Sequence, residues 1–205
     1  HSAGAVKIGY ISGRLLGEPL GRAEINLHGS FLATGDGHGT KKALVAGLLG
    51  MQTDDIRIPQ ALEIAEGQGI VVSFGQAILR EAHPNTAQLI LHGRSGQRLE
   101  IIGQSLGGSR INIAQLDGIE TNFSGESPTL VVYNEDRPGH VSEVTTMLSD
   151  QNINIASMRL YRSSRGGEAV MVVECDQEVP QSGIDWLRRF DGIRKVLTYL
   201  GMTGE

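Results

Sequence analysis

The chain has 205 residues, 40 % of them hydrophobic and 20 % charged, with a formal net charge of −5 at pH 7. That length and balance support one good core or two small ones and exclude disorder as the organising state. No apolar run approaches the roughly 20 residues that a transmembrane helix needs, and no basic-then-apolar leader opens the chain, so a cytoplasmic protein is expected.

The opening run from His1, continuing past Tyr10, reads as a helix packed closely against a neighbour, because Ala3, Gly4, Gly9 and Gly13 punctuate the apolar Val6, Ile8 and Leu15. If Ser2 caps that helix, His1 stands just ahead of a helix N-terminus, a favourable place for an anion; the alternative is that His1 is simply a truncated or tag-derived end. After Pro19, residues 23–31 alternate strictly, with Ala23, Ile25, Leu27 and Phe31 on one side and Glu24, Asn26, His28 and Ser30 on the other, which predicts a half-buried strand. Ala43, Leu44, Val45, Leu48 and Leu49 then form one face of a helix closed by Gly50. Pro59, Leu62 and Ile64 mark another helix that ends at Gly67 or Gly69.

Strands are predicted over 70–74, 86–92, 98–105 and 110–116, the last three as an antiparallel meander with one covered face. Residues 121–128 are polar and rich in turn formers, which predicts a linker and a boundary between a first domain, residues 1–125, and a second, residues 126–205. Beyond it come strand 129–133, helix 138–150, strand 153–162, strand 168–175, helix 181–190 and strand 193–200. The fold class is therefore α/β (α+β): a mixed sheet with helices, followed by the βαββαβ, ferredoxin-like pattern.

Between the first strand and the next helix lies Thr34-Gly35-Asp36-Gly37-His38-Gly39-Thr40-Lys41-Lys42-Ala43. Alternating glycines let the backbone approach a ligand, and a helix starting at Gly39 or Thr40 aims unpaired N–H groups at the same place. This predicts a site for a carboxylate or phosphate, with Asp36 and His38 at its rim. The spacing of glycine, lysine and hydroxyl is not that of a nucleotide P-loop. Scattered Lys and Arg without an aromatic platform argue against nucleic acid and for small molecules or protein surfaces. The single cysteine, Cys175, excludes an internal disulfide and cannot alone hold zinc or an iron–sulfur cluster, so cluster chemistry would need ligands from another chain.

The run Asn134-Glu135-Asp136-Arg137-Pro138-Gly139-His140-Val141, with Asn152-Ile153-Asn154-Ile155 after it, resembles the signature of ACT domains, the amino-acid-sensing modules of metabolic enzymes. The resemblance implies a unit that associates in pairs and binds an effector near Asn134, Asp136, Gly139, His140 and Val141, or one that keeps the fold for association alone. In the first domain, His1-Ser2-Ala3-Gly4 is similar to the end of a Ser-Ser-Ser-His-Thr/Ser-Ala-Gly motif, and Leu27-His28-Gly29-Ser30-Phe31-Leu32-Ala33-Thr34-Gly35-Asp36-Gly37-His38-Gly39-Thr40 to a second. Both motifs resemble the β subunit of iron–sulfur-dependent bacterial L-serine dehydratases. The serines expected ahead of His1 are absent, so the chain is expected to begin inside a ligand-contacting motif.

What this resemblance implies is a subunit of an L-serine ammonia-lyase, inactive alone, whose partner α subunit carries a [4Fe–4S] cluster that acts as Lewis acid on the serine hydroxyl. His38 is then the candidate catalytic base, and His1, Ser2, Asp36, Gly37, Gly39, Thr40 and Lys41 are candidate substrate-binding residues, none of them a metal ligand. The first domain is also similar to the allosteric substrate-binding domain of some phosphoglycerate dehydrogenases. That leaves a second reading, a non-catalytic chain that senses an amino acid or phosphate and regulates another metabolic enzyme.

Overall fold

A computed structural model describes residues 2–35 and 39–202. Packing divides the chain into two units, residues 1–118 and 119–205. In the first, helix α1 (Ser2–Leu16) leads to strand β1 (Leu20–Gly29), the short helix α2 (Ser30–Gly35) and helix α3 (Gly39–Leu48). A single 3-10 turn, Ile58–Gln60, precedes helix α4 (Ala61–Gly67), and strands β2 (Val71–Gln76), β3 (Asn85–Gly93), β4 (Arg98–Gly107) and β5 (Arg110–Leu116) follow. With strand β6 (Ile119–Phe123) they form a mixed sheet in the order β2-β1-β3-β4-β5-β6. β1 and β2 pair in parallel, whereas β1–β3, β3–β4 and β4–β5 are antiparallel, as the predicted meander requires.

Alternation along β1, β3 and β4 sends Ile25, Leu27, Leu89, Leu91, Leu99 and Ile101 to one face, where they are wholly buried together with Ile8, Ile11, Leu15 and Leu44 of α1 and α3. Each such side chain contributes about 1.5–3 kcal/mol relative to exposure. The close packing expected from the small residues of α1 is present. A Cβ at Gly13 would lie 2.9 Å from the Leu48 carbonyl oxygen, one at Gly47 would lie 2.5 Å from the Tyr10 nitrogen, and Gly9 abuts the Leu44 carbonyl. Contacts advancing together along both helices make α1 and α3 a parallel pair. Strand β1 returns the chain so that α3 starts at the end where α1 started.

Two sequence expectations are corrected in these elements. The predicted strand over 23–31 stops at Gly29, where φ is +62° and the next amide, of Ser30, donates to the Pro84 carbonyl at 2.7 Å. Ser30 and Phe31 are therefore helical, and Phe31 reaches the core from α2. Residues 119–123, of which 121–123 fall within the predicted linker, form β6, in which Ile119, Thr121 and Phe123 alternate inward. Thr121, a polar residue at a buried position, hides that alternation from a hydrophobic pattern.

The second unit continues with strand β7 (Thr129–Glu135), helix α5 (His140–Asp150), strands β8 (Ile155–Arg162) and β9 (Glu168–Cys175), helix α6 (Gln181–Leu187) and strand β10 (Ile193–Tyr199). Its sheet order, β10-β7-β9-β8, is antiparallel throughout and is the expected ferredoxin-like arrangement. Leu130, Val132, Met171 and Val173 on one face meet Val144, Met147, Leu148, Ile184 and Leu187 of the two helices. Strand β8 starts at Ile155 rather than at Ile153. Asn152, at φ +58°, and the Ile153 amide bonding back to the Leu148 carbonyl at 2.9 Å first have to close α5.

Candidate functional site

Because α1 and α3 are parallel, their N-termini stand side by side. Two positive dipole ends, each equivalent to about half an elementary charge, then face the same volume. A cavity of about 250 Å³ lies there, lined by Ser2, Gly39, Lys42 and Ala43 at the helix starts and by Thr53 and Pro59 from the segment after α3. Two expected substrate-binding residues, Ser2 and Gly39, are thus brought together although they are far apart in sequence, and both are exposed. Ser2 is itself the first helical residue of α1.

Of the other expected residues, Thr40 is buried in the first turn of α3. Lys41 leaves this cavity: its ammonium sits 5.2 Å from the centroid of the Phe74 ring and lines a separate cavity of about 150 Å³ with Leu27, Leu32 and Gln76. Lys42 stands in its place. Helical spacing would have found it, since positions 39, 42 and 43 share a face that position 41 does not. His1, Asp36, Gly37 and His38 lie outside the described residues. His28 is accounted for structurally: its Nδ1 accepts the Leu79 amide at 3.2 Å and ties the segment after β2 to β1.

In the second unit the expected effector residues gather between β7 and α5. Gly139 caps α5 at φ +106°, in the left-handed region that a side chain resists. Asn134 is 3 % exposed; its Nδ2 donates to the Glu135 carbonyl at 2.7 Å, while its Oδ1 is buried without a hydrogen-bond partner. Asp136 accepts from Arg162 Nη1 at 3.0 Å and from the Gly166 amide at 2.9 Å. The Gly166 amide and then the Arg162 guanidinium hold its carboxyl below the ordinary carboxylate range. His140 is buried, with Arg137 Nε donating to its Nε2 at 3.1 Å, so its proton sits on Nδ1, 2.7 Å from Glu143 Oε2. Val141 is 42 % exposed and points away from the core. Arg137 and Glu143, which sequence reading passed over, fix the imidazole; the i,i+3 spacing of Glu143 from His140 was the available signal.

Known proteins match both parts of the chain. The family model "Serine dehydratase beta chain" matches residues 11–71, and the ACT domain model matches residues 129–190. The probable L-serine dehydratase beta chain of Bacillus subtilis is 36 % identical over 196 residues, which cover 96 % of this chain and 89 % of that protein. The chain belongs to the L-serine dehydratase beta-chain family.

A second member, the L-serine dehydratase beta chain of Peptoniphilus asaccharolyticus, is 32 % identical over 89 % of this chain and 82 % of its own length. D-3-phosphoglycerate dehydrogenase of Methanocaldococcus jannaschii is 29 % identical over 76 % of this chain but over only 29 % of its own length. The match thus covers less than a third of the dehydrogenase, whereas the serine dehydratase beta chains match over most of their own length. That favours the lyase subunit over the regulatory reading.

Dehydratases of this family bring an iron–sulfur cluster into question, and the described residues of this beta chain do not fit one. Cys175 is buried at the end of β9, its Sγ donating to the Val173 carbonyl at 3.7 Å, and burial pushes its thiol up to about 11. A thiolate ligand needs the opposite environment. Among the described residues no group of three His, Cys, Asp or Glu could hold a metal ion. Among them also, no helix is long and apolar enough to cross a membrane.

Proposed function

We propose that this chain is the β subunit of an L-serine ammonia-lyase, converting L-serine to pyruvate and ammonia together with an α subunit. The observation that carries the reading is the 36 % identity to a serine dehydratase beta chain across 96 % of the chain. We assign residues 1–125 to the dehydratase domain, residues 126–205 to the ACT domain, and the whole to the cytoplasm. The [4Fe–4S] cluster belongs, on this proposal, to the α subunit, since Cys175 cannot serve it.

This chain's residues have a defined share of the chemistry. Serine must lose its α-proton and its β-hydroxyl as water, leaving an enamine that tautomerises and hydrolyses to pyruvate and ammonia. His38 is the proposed base for the α-proton, because an imidazole titrates near neutral pH and flanking glycines let it project. The paired N-termini of α1 and α3, with Ser2, Gly39 and His1, would hold the substrate carboxylate, as helix N-termini hold anions. Asp36, Gly37 and Thr40 would shape the loop and orient His38 or its ligand, with Lys42 rather than Lys41 at the cavity.

The test is serine turnover by the reconstituted αβ pair carrying His38→Ala. A loss of about 10²–10⁴-fold at unchanged cluster content is expected for removal of a general base. Near-normal turnover would take His38 out of the mechanism. For the ACT domain we propose pairwise association and an amino-acid effector whose ammonium donates to Asn134 Oδ1, the buried acceptor that lacks a partner.

A further inference from the structure

At the opposite end of the α1–α3 pair, about 20 Å from Ser2 along α1, lies a cleft of about 730 Å³. That volume is within the range of small-molecule sites, about 300–1,000 Å³. Its wall holds three charged groups, Arg14, Glu18 and Arg94, and its floor is apolar, formed by Leu20, Leu48 and Ile70 among others. The charges are fixed in place but not paired with one another. Arg94 donates from Nη2 to the Gln68 carbonyl at 2.5 Å and from Nε to the Leu20 carbonyl at 3.4 Å. The Arg14 guanidinium lies 5.1 Å from the centroid of the Tyr10 ring, and Glu18 accepts the Ser95 amide.

Among the described residues neither arginine makes an ion pair, and Glu18 makes none either. Glu18 also stands just beyond the C-terminus of α1, where the helix dipole favours a cation. An anion alone would meet Glu18 and a cation alone would meet two guanidiniums. A zwitterion satisfies both.

We propose that this cleft binds a free α-amino acid with an apolar side chain: carboxylate on Arg14 and Arg94, ammonium on Glu18, side chain on the Leu48 and Ile70 floor. The site is separate from the α1–α3 N-terminal cavity and from the Asn134 loop, and it does not rest on the dehydratase reading. The close-packed helix pair connects it to the N-terminal cavity, so occupancy at one end is placed to be felt at the other.

The test is a titration of the ¹⁵N-labelled full chain with L-leucine, L-serine, acetate and isoamylamine, read by amide shifts. L-leucine is expected to move the amides of Gly17, Leu20, Gln68 and Ser95 and to bind about tenfold more tightly than L-serine, the gain of a buried aliphatic side chain. Both acetate and isoamylamine should bind at least tenfold more weakly than L-leucine. Arg14→Gln with Arg94→Gln should weaken L-leucine at least tenfold; should that double variant not fold, Glu18→Gln should do the same. Acetate matching L-leucine, or unaltered binding in the charge variants, would overturn the proposal. Shifts confined to residues 134–141 would overturn it too and leave the effector reading of that loop standing, whereas shifts in the cleft alone would uphold it and count against that reading.

Discussion

Asp136 shows what one carboxylate does in the second unit. It reaches from the loop after β7 to Arg162 at the end of β8 and to the Gly166 amide in the β8–β9 turn, so it pins that hairpin to the loop carrying Gly139 and His140. Its folded pKa is depressed, which means that the unfolded chain binds more protons as the pH falls through the carboxylate range. The stability it contributes is therefore present above an unfolded pKa of about 3.9 and is lost as pH falls through the lower folded value. We expect Asp136→Asn to lower the thermal midpoint at pH 7 and the gap to wild type to close as pH falls below about 4. An equal gap at both ends of a pH series would mean that the side chain acts by shape and not by charge.

At the scale of elements, the α1–α3 pair positions the cavity at its N-terminal end and the cleft at its other end. Gly47 lies against the Val6 carbonyl and the Tyr10 nitrogen, so a side chain there must push the helices apart. Gly47→Leu is expected to destabilise the unit by about 3 kcal/mol, the upper end of overpacking costs. Gly67→Ala is the control: nothing lies within 4 Å of its Cβ position, and it should be neutral or stabilising by up to about 1 kcal/mol. Denaturant midpoints check both, and equal effects would remove the close crossing as their cause. Much of this was legible in the sequence. Small residues at Gly9 and Gly13 foretold the tight helix, and strict alternation foretold β1, β3, β4 and β5. What was hidden depended on partners distant in the chain. Ser30 turns helical because Pro84 accepts its amide, Thr121 takes a core position, and the orphaned Oδ1 of Asn134 exists only once β7 is buried. The charges of Arg14, Glu18 and Arg94 converge through three different elements, and no local pattern announces them.

For the whole molecule, two units with separate cores mean that a ligand of one need not stabilise the other. An effector held by Asn134 would bind only the folded second unit, and at a hundred times its dissociation constant it would add about 2.7 kcal/mol. For a unit of that size the shift in midpoint is on the order of 10 °C. Titrating L-serine into the full chain during thermal unfolding should therefore raise the transition that reports on Trp186, which packs on the second core. Asn134→Ala should abolish the rise, because it removes the buried acceptor while leaving the cleft at Arg14 and Arg94 intact. If millimolar L-serine moves no transition, the second unit is an association module and the unpaired Oδ1 is a cost carried by the fold. If the rise survives Asn134→Ala, the amino acid is held elsewhere, and the cleft beside Glu18 is where the same titration should next be read.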